Sequence, residues 1–394
     1  MRWLGVTLVG WLVLIAACGN EGNTSTKPSS STTVSPTQIA TPPFAAWPDC
    51  ETIAAQDLPE TLVVFDAETC ETKSIRGATN ASAMTWSPDG SAIAYLSADD
   101  YLTFRPDTDV YVADVNSGEI TRVTNTPGVS EEDPIWSPDG TRLLYGTFDR
   151  SLLSDPTERS WTENLEVSDL TTGAKFVATS GLKCAGNYSW FADGVSIAVT
   201  SGCAESRHVD VVDLQTGEAT LLTGAVDVPQ AQPSGELTAF PCVAEPLSST
   251  ICIAKSDGTE AKRVEASSIT NDPSGTLATP EESSPMWSSD GRTIGFQGLH
   301  GYYYVYQVEE ERGRAIDFGA ENSLPAFLTS EVFSSIDCDD NGGQPCAPFV
   351  LRSRRLDLSE TRDILVFDCG IAGATWSADG TRLAISSAPV FPCL

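Results

Sequence analysis

Hydrophobic and polar positions alternate along most of this chain with a period of two. Ala92-Ile93-Ala94-Tyr95-Leu96, Val110-Tyr111-Val112-Ala113 and Arg382-Leu383-Ala384-Ile385 are examples, each only four to eight residues long and bounded by Gly, Pro, Asp or Ser. That pattern predicts short, half-buried β-strands joined by tight turns, and no stretch after residue 50 carries the longer helical period. Two segments break the pattern. Trp3 to Ala17 is a nearly unbroken apolar run behind Arg2, and Asn20 to about Pro48 is rich in Ser, Thr, Pro and Gln.

The alternation is organised by a repeat. Thr85-Trp86-Ser87-Pro88-Asp89-Gly90 recurs as Ile135-Trp136-Ser137-Pro138-Asp139-Gly140. Weaker copies stand at Trp190 to Gly194, Trp287 to Gly291 and Trp376 to Gly380. In Ser-Pro-Asp-Gly, Pro presets φ for a type I turn and Gly accepts the left-handed conformation that closes a hairpin. The tryptophan ahead of it is large enough to fill a gap between neighbouring sheets. A second unit, with Asp and Gly four apart among β-formers, follows at Val110–Gly118, Leu165–Gly173 and Val209–Gly217, and reads as a second hairpin. Two hairpins per unit make a four-stranded antiparallel sheet, and radial repetition of such sheets makes an all-β propeller.

Spacing counts the blades. The tryptophans are separated by 50, 54, 97 and 89 residues, so the last two intervals are double and the mean repeat is about 48. Gln232-Pro233-Ser234-Gly235 fills the first gap as a degenerate copy. Phe327 to Ile336 and Phe349 to Leu356 fill the second without the motif. Seven blades result, or six if that last stretch is an insertion. The final unit stops after its second strand, whereas Leu62 to Asp66 looks like a third strand with no hairpin before it. The N-terminal strands are therefore expected to join the last blade and close the ring.

The Trp-Ser-Pro-Asp-Gly units resemble the TolB-type, WD-like propeller repeat of bacterial envelope proteins, over roughly residues 60 to 394. The resemblance implies a propeller that works outside the cytoplasm. Where TolB proteins carry a further N-terminal domain, this chain has something different. The run before Cys18 is too short to span a bilayer and reads as a signal peptide, residues 1–17. Leu14-Ile15-Ala16-Ala17-Cys18 resembles the lipobox of bacterial lipoproteins, in which the cysteine takes the lipid. Residues 18–48 then form a lipidated cysteine and a disordered stalk, and 49–394 the propeller domain. The expectation is a monomeric protein facing the periplasm or the cell surface and touching the membrane only through its lipid.

Charge and cysteine content narrow the chemistry. A formal charge of −31 repels nucleic acid and disfavours anionic lipid surfaces, and the expected partner is a protein of the envelope. Beyond Cys18, ten cysteines suit five disulfides in an oxidising compartment. Blade geometry suggests Cys184 with Cys203, Cys369 with Cys393, Cys242 with Cys252, Cys338 with Cys346 and Cys50 with Cys70. There is no Gly-x-Ser-x-Gly elbow, phosphate loop or His-Glu-x-x-His helix, and neither His208 nor His300 has a nucleophile beside it in sequence. The expected function is a non-enzymatic protein-binding scaffold, against the alternative of small-ligand binding or hydrolytic or lyase activity at an acidic channel mouth. Glu131-Glu132-Asp133 and Glu281-Glu282, just upstream of inner strands, are the candidate rim for a cationic partner or a metal ion. No cofactor is expected except calcium: Asp337, Asp339 and Asn341, with Gly342 behind them, imitate the first half of a calcium loop, whose position 12 is then Pro348 instead of Glu.

Overall fold

The computed structural model describes residues 53–54, 61–98, 107–149, 162–185, 187–202, 208–233, 235–244, 248–256, 258–271, 285–297, 302–317, 324–328, 332–338, 349–355, 361–367 and 371–387. The signal peptide, Cys18 and the stalk lie outside these residues. So do Glu281, Glu282, His300, Asp339, Asn341 and the cysteines at 50, 203, 346, 369 and 393.

The described strands assemble into seven sheets, named here by the residue at the end of the innermost strand where the motif places its tryptophan. The Trp86 sheet runs Ser82–Trp86, Ala92–Ala98, Thr108–Asp114 and Ile120–Arg122 from inside to outside. The Trp136 sheet follows with Val129–Trp136, Arg142–Asp149, Thr162–Asp169 and Lys175–Ala185, and the Trp190 sheet with Tyr188–Trp190, Ser196–Ser201, His208–Asp213 and Ala219–Leu221. Next come the Ala231 sheet (Gln230–Ala231 to Lys262–Arg263) and the Trp287 sheet (Met286–Trp287 to Arg312–Asp317). The motif-free stretch forms a sheet of its own, from Leu324–Leu328 to Thr361–Phe367, so it is not an insertion. The innermost strands touch one another in sequence order, and the last, Ile371–Trp376, touches the first. That cycle makes the fold a β-propeller of antiparallel blades.

Closure is as the sequence suggests. Arg382–Ser387 pairs antiparallel with Leu62–Asp66, which pairs in turn with Thr72–Ile75. One sheet is thus built from both ends of the described chain. Two sheets also gain a fifth strand that the sequence does not announce. Ile53–Ala54 pairs parallel with the outer strand Thr361–Phe367, and Ile269–Thr270 pairs parallel with Arg312–Asp317. Both are two residues long, too short to leave a period, and both cover an otherwise open sheet edge.

The repeat explains the seams between sheets. Trp86, Trp136, Trp190 and Trp287 are buried against the preceding sheet, Trp136 for instance among Ala94, Leu96 and Val110. Their indole N–H groups donate to the carbonyls of Thr375, Thr85, Ile135 and Gln230, at 2.9, 3.1, 3.2 and 2.8 Å. Each acceptor is the residue just before the tryptophan position of the neighbouring sheet. Gln230 is the informative one, because it places Ala231 where the missing tryptophan belongs. Behind Trp86, Trp136, Trp287 and Trp376 the serine works twice. Ser137 Oγ donates to Asp139 Oδ1 at 2.6 Å and accepts from Arg142 N at 2.9 Å, while Asp139 Oδ1 takes Thr141 N at 3.0 Å. Gly140 follows with φ +70°, as the turn requires.

Candidate functional site

The inner strands that carry the motif end with the tryptophan position at the turn end of the ring, so the opposite end collects the starts of inner strands and the links between second and third strands. That opposite end holds most of the buried polar chemistry. Val129–Trp136 is the most polar inner strand there, and it contains Glu131, Glu132 and Asp133 instead of following them. The expectation of three rim charges upstream of the strand needs correcting on that point. A bulge between Glu132 and Ile135, with Asp133 at φ +40°, resets the alternation so that the three carboxylates meet different surroundings.

Glu131 turns into the seam and is 1% exposed. Its carbonyl accepts from Thr108 Oγ1 of the Trp86 sheet at 2.7 Å, and its Oε1 accepts from Thr126 Oγ1. Oε2 has no hydrogen-bond partner. Burial pushes the Glu131 carboxyl up to about 7, with the nearby Asp109 adding to the rise against the bond from Thr126. Asp109 is itself buried, pairs with Arg122, and accepts from Thr124 Oγ1 at 3.1 Å and Thr126 N at 3.4 Å. Asp107 Oδ2 takes Gly128 N at 3.2 Å. Three acids therefore hold the Thr124–Gly128 link between the first two sheets.

Asp133 is the most exposed of the trio, with Glu132 half-buried beside it. The surrounding protein still raises its carboxyl above the ordinary range by desolvation. The left-handed backbone beneath it is clamped by Tyr188 of the next sheet, whose hydroxyl lies 2.7 Å from the Glu132 carbonyl and 2.9 Å from that of Asp133 and accepts Gly146 N at 2.8 Å. Burial and the neighbouring Asp133 charge raise the Tyr188 hydroxyl well above its usual value, so it stays a donor. Ala83 (φ +44°) occupies the same place three residues before Trp86. Of these two bulges only that of the Trp136 sheet carries a charge.

Two further polar clusters share this end. Asp227 is 0% exposed and accepts from Asn187 Nδ2 at 2.8 Å, Thr200 Oγ1 at 3.1 Å and Val228 N at 2.8 Å. Ser201, His208 and Asp210 form a triangle: Ser201 Oγ lies 3.1 Å from His208 Nε2 and donates to Asp210 Oδ2 at 3.0 Å, and Nε2 is 3.2 Å from that same oxygen. His208 thus has a serine beside it that sequence context did not reveal. The arrangement is not a proton relay, because serine and aspartate meet the same ring nitrogen and the serine proton already points to the carboxylate.

Cys242 and Cys252 form the disulfide expected of them, across adjacent antiparallel strands with Cα atoms 5.8 Å apart. Cys70 is disulfide-bonded as well. Cys184 lies in the outer strand Lys175–Ala185. Asp337 and Cys338 complete a strand opposite Val350 and Phe349, so the first position of the suggested calcium loop is part of a ladder and not a turn. Among the described residues no group of three or more His, Cys, Asp or Glu side chains could hold a metal ion, Glu131, Glu132 and Asp133 included.

Fold and seams define a repeat-built β-propeller with one polar end. No family model matches the chain, and no curated protein does. Solved structures do. An oligogalacturonate lyase from Vibrio parahaemolyticus aligns at 12% identity and TM-score 0.50 over 84% of this chain and 98% of the lyase. A TolB described as putative, from Agrobacterium tumefaciens, aligns at 16% and 0.45 over 84% and 98%, and TolB from Acinetobacter baumannii at 19% and 0.43 over 64% and 58%. This chain thus spans little more than half the length of the Acinetobacter protein. At these identities the similarity is one of fold.

Proposed function

We propose that this protein is a lipid-tethered, extracytoplasmic propeller that binds a cationic segment of an envelope protein at its polar end, without catalysis. The observation that carries the reading is Asp133. A charged residue in a left-handed bulge is costly, and here it is held by Tyr188 and reaches solvent, beside Glu132, on a protein of net charge −31. Disulfide bonds at Cys242–Cys252 and at Cys70 support an oxidising compartment. Leu14 to Cys18 supports the tether, and replacing Cys18 by Ala should move the protein from the membrane to the soluble fraction.

An oligolysine peptide titrated into the folded domain tests the binding face. Saturable binding that weakens with salt and is lost in the E132Q/D133N double variant is the expected result. The control is E68Q/E71Q, which removes two charges at the turn end and should leave binding unchanged. Equal binding by both double variants would reduce the attraction to overall charge and overturn the assignment of this face.

A further inference from the structure

Behind the exposed Asp133 lies a carboxyl group that the binding reading does not use. Glu131 sits between the Trp86 and Trp136 sheets, fully enclosed, with one oxygen on Thr126 and the other on nothing. Such an orphaned acceptor is expensive as a carboxylate, because it has given up water without gaining a donor. The hydroxyls of Thr126 and Thr124 relieve only part of that cost, and the charged groups facing it add to it. From the Trp86 sheet come Asp109, which repels it, and Arg122, which is already engaged by Asp109. Asp107 anchors the adjoining link, and from the Trp136 sheet come the phenol of Tyr145 and the flanking Glu132 and Asp133.

The link itself is short and hangs on these acids. Thr126 gives its hydroxyl to Glu131 and its amide to Asp109, and Gly128 gives its amide to Asp107. Thr124 is pinned to the Trp86 sheet, its hydroxyl accepting Val110 N at 2.8 Å and its carbonyl accepting Arg122 Nε at 3.0 Å, so the part that hangs on the acids is Asn125–Gly128, where the remaining backbone bond is Val129 N to Thr126 O at 3.0 Å. We propose that Glu131 is a proton-operated latch: protonated, it seats the Asn125–Gly128 segment in the seam, and ionised, it releases that segment at the polar end of the ring. The repulsion from Asp109 and the missing partner for Oε2 both vanish when Glu131 carries a proton. Ionisation brings both back, and opening the link is the route by which water reaches the charge. This latch stands on the seam geometry and holds whether or not the same face binds a cationic partner.

The sign follows from linkage. The Glu131 carboxyl is raised from 4.5 to about 7 in the closed state, so its contribution is fully present at low pH and is lost as pH climbs through that range. If the open link restores the ordinary value, the opening equilibrium grows about tenfold between about pH 6 and about pH 8. Hydrogen exchange at Thr126, Gly128 and Val129, corrected for intrinsic rates, reads that growth directly. In E131Q, which is uncharged at every pH, the growth should disappear while exchange in the distant Trp287 sheet stays the same. Carbon-detected NMR of the wild-type Glu131 carboxyl decides the matter even if E131Q folds poorly. A midpoint near 7 supports the latch, whereas a midpoint in the ordinary glutamate range, or equal pH dependence of exchange in wild type and E131Q, overturns it.

Discussion

The seam between the Trp86 and Trp136 sheets has two ends of opposite construction. At the turn end, Trp136 fills the gap, its indole reaches Thr85, and Ser137 and Asp139 satisfy the backbone that follows. Every polar atom in that description has a partner, and the same parts recur at Trp287 and Ser288. At the other end, an orphaned glutamate oxygen, a buried aspartate and a strained bulge crowd the start of the same strand. Nothing there is repeated around the ring in the same residues. What recurs in a repeat protein is what the fold needs from each unit, and what stands alone is free to serve something else.

The comparison breaks first if the tryptophan is not what holds the turn end. Trp136→Ala removes the largest side chain of its seam and should cost about 3–5 kcal/mol, read as a lower urea midpoint for the domain. Loss of less than about 1 kcal/mol would mean that the sheets are held elsewhere. A smaller effect is expected from the polar parts. Ser137→Ala strips a donor from Asp139 and strands the half-buried Arg142 amide, for about 1–3 kcal/mol. Gln232→Ala is the matching test in the sheet that lacks tryptophan. There Gln232 Oε1 accepts Leu237 N at 3.1 Å, as the serine does elsewhere, and Nε2 donates to Gly291 O at 2.7 Å. A cost like that of Ser137→Ala would show that one amide replaces the serine and spans the seam as well.

These substitutions also mark how far the sequence could be read. Turn chemistry was legible because the backbone demands it locally: Gly235 N bonds Gln232 O at 2.8 Å just as Gly90 N bonds Ser87 O, so the degenerate copy shows even without tryptophan. Ring closure was legible because an orphan third strand at Leu62 needs a partner. The polar end was only partly so. Glu131 to Asp133 stood out as a run of acids, but a run does not say which one a bulge will bury. Asp109 and Tyr188 escaped notice because each acts across a seam, on residues 22 and 55 positions away, and Thr126 because nothing in a polar link marks which hydroxyl meets the acid. The Ser201–His208 contact crosses two paired strands with a link between them, a spacing that no motif encodes.

The least effect, and the sharpest division between the two ends, is in pH. Turn aspartates at the turn end have lowered carboxyls: Asp89 through the Ser87 hydroxyl and the Ser91 amide, Asp114 through the Ser117 amide, and Asp169, at about 2, through the Thr171 hydroxyl and the Thr172 amide. A depressed carboxyl contributes stability above its unfolded value and loses it as pH falls toward the folded one. The turn end should therefore weaken as pH drops from about 4 toward about 2. Glu131 has the opposite sign, contributing below its ordinary value and losing that contribution as pH rises through about 7. Since Asp114 and Asp169 are partly covered but keep their carboxyls at the surface, screening keeps each effect small, and the acid limb is broad. Thermal unfolding across this range should give a maximum between the two limbs. Asp169→Asn should soften only the acid limb and E131Q only the alkaline one; a variant that moved both would mean the two ends of the seam titrate as one system.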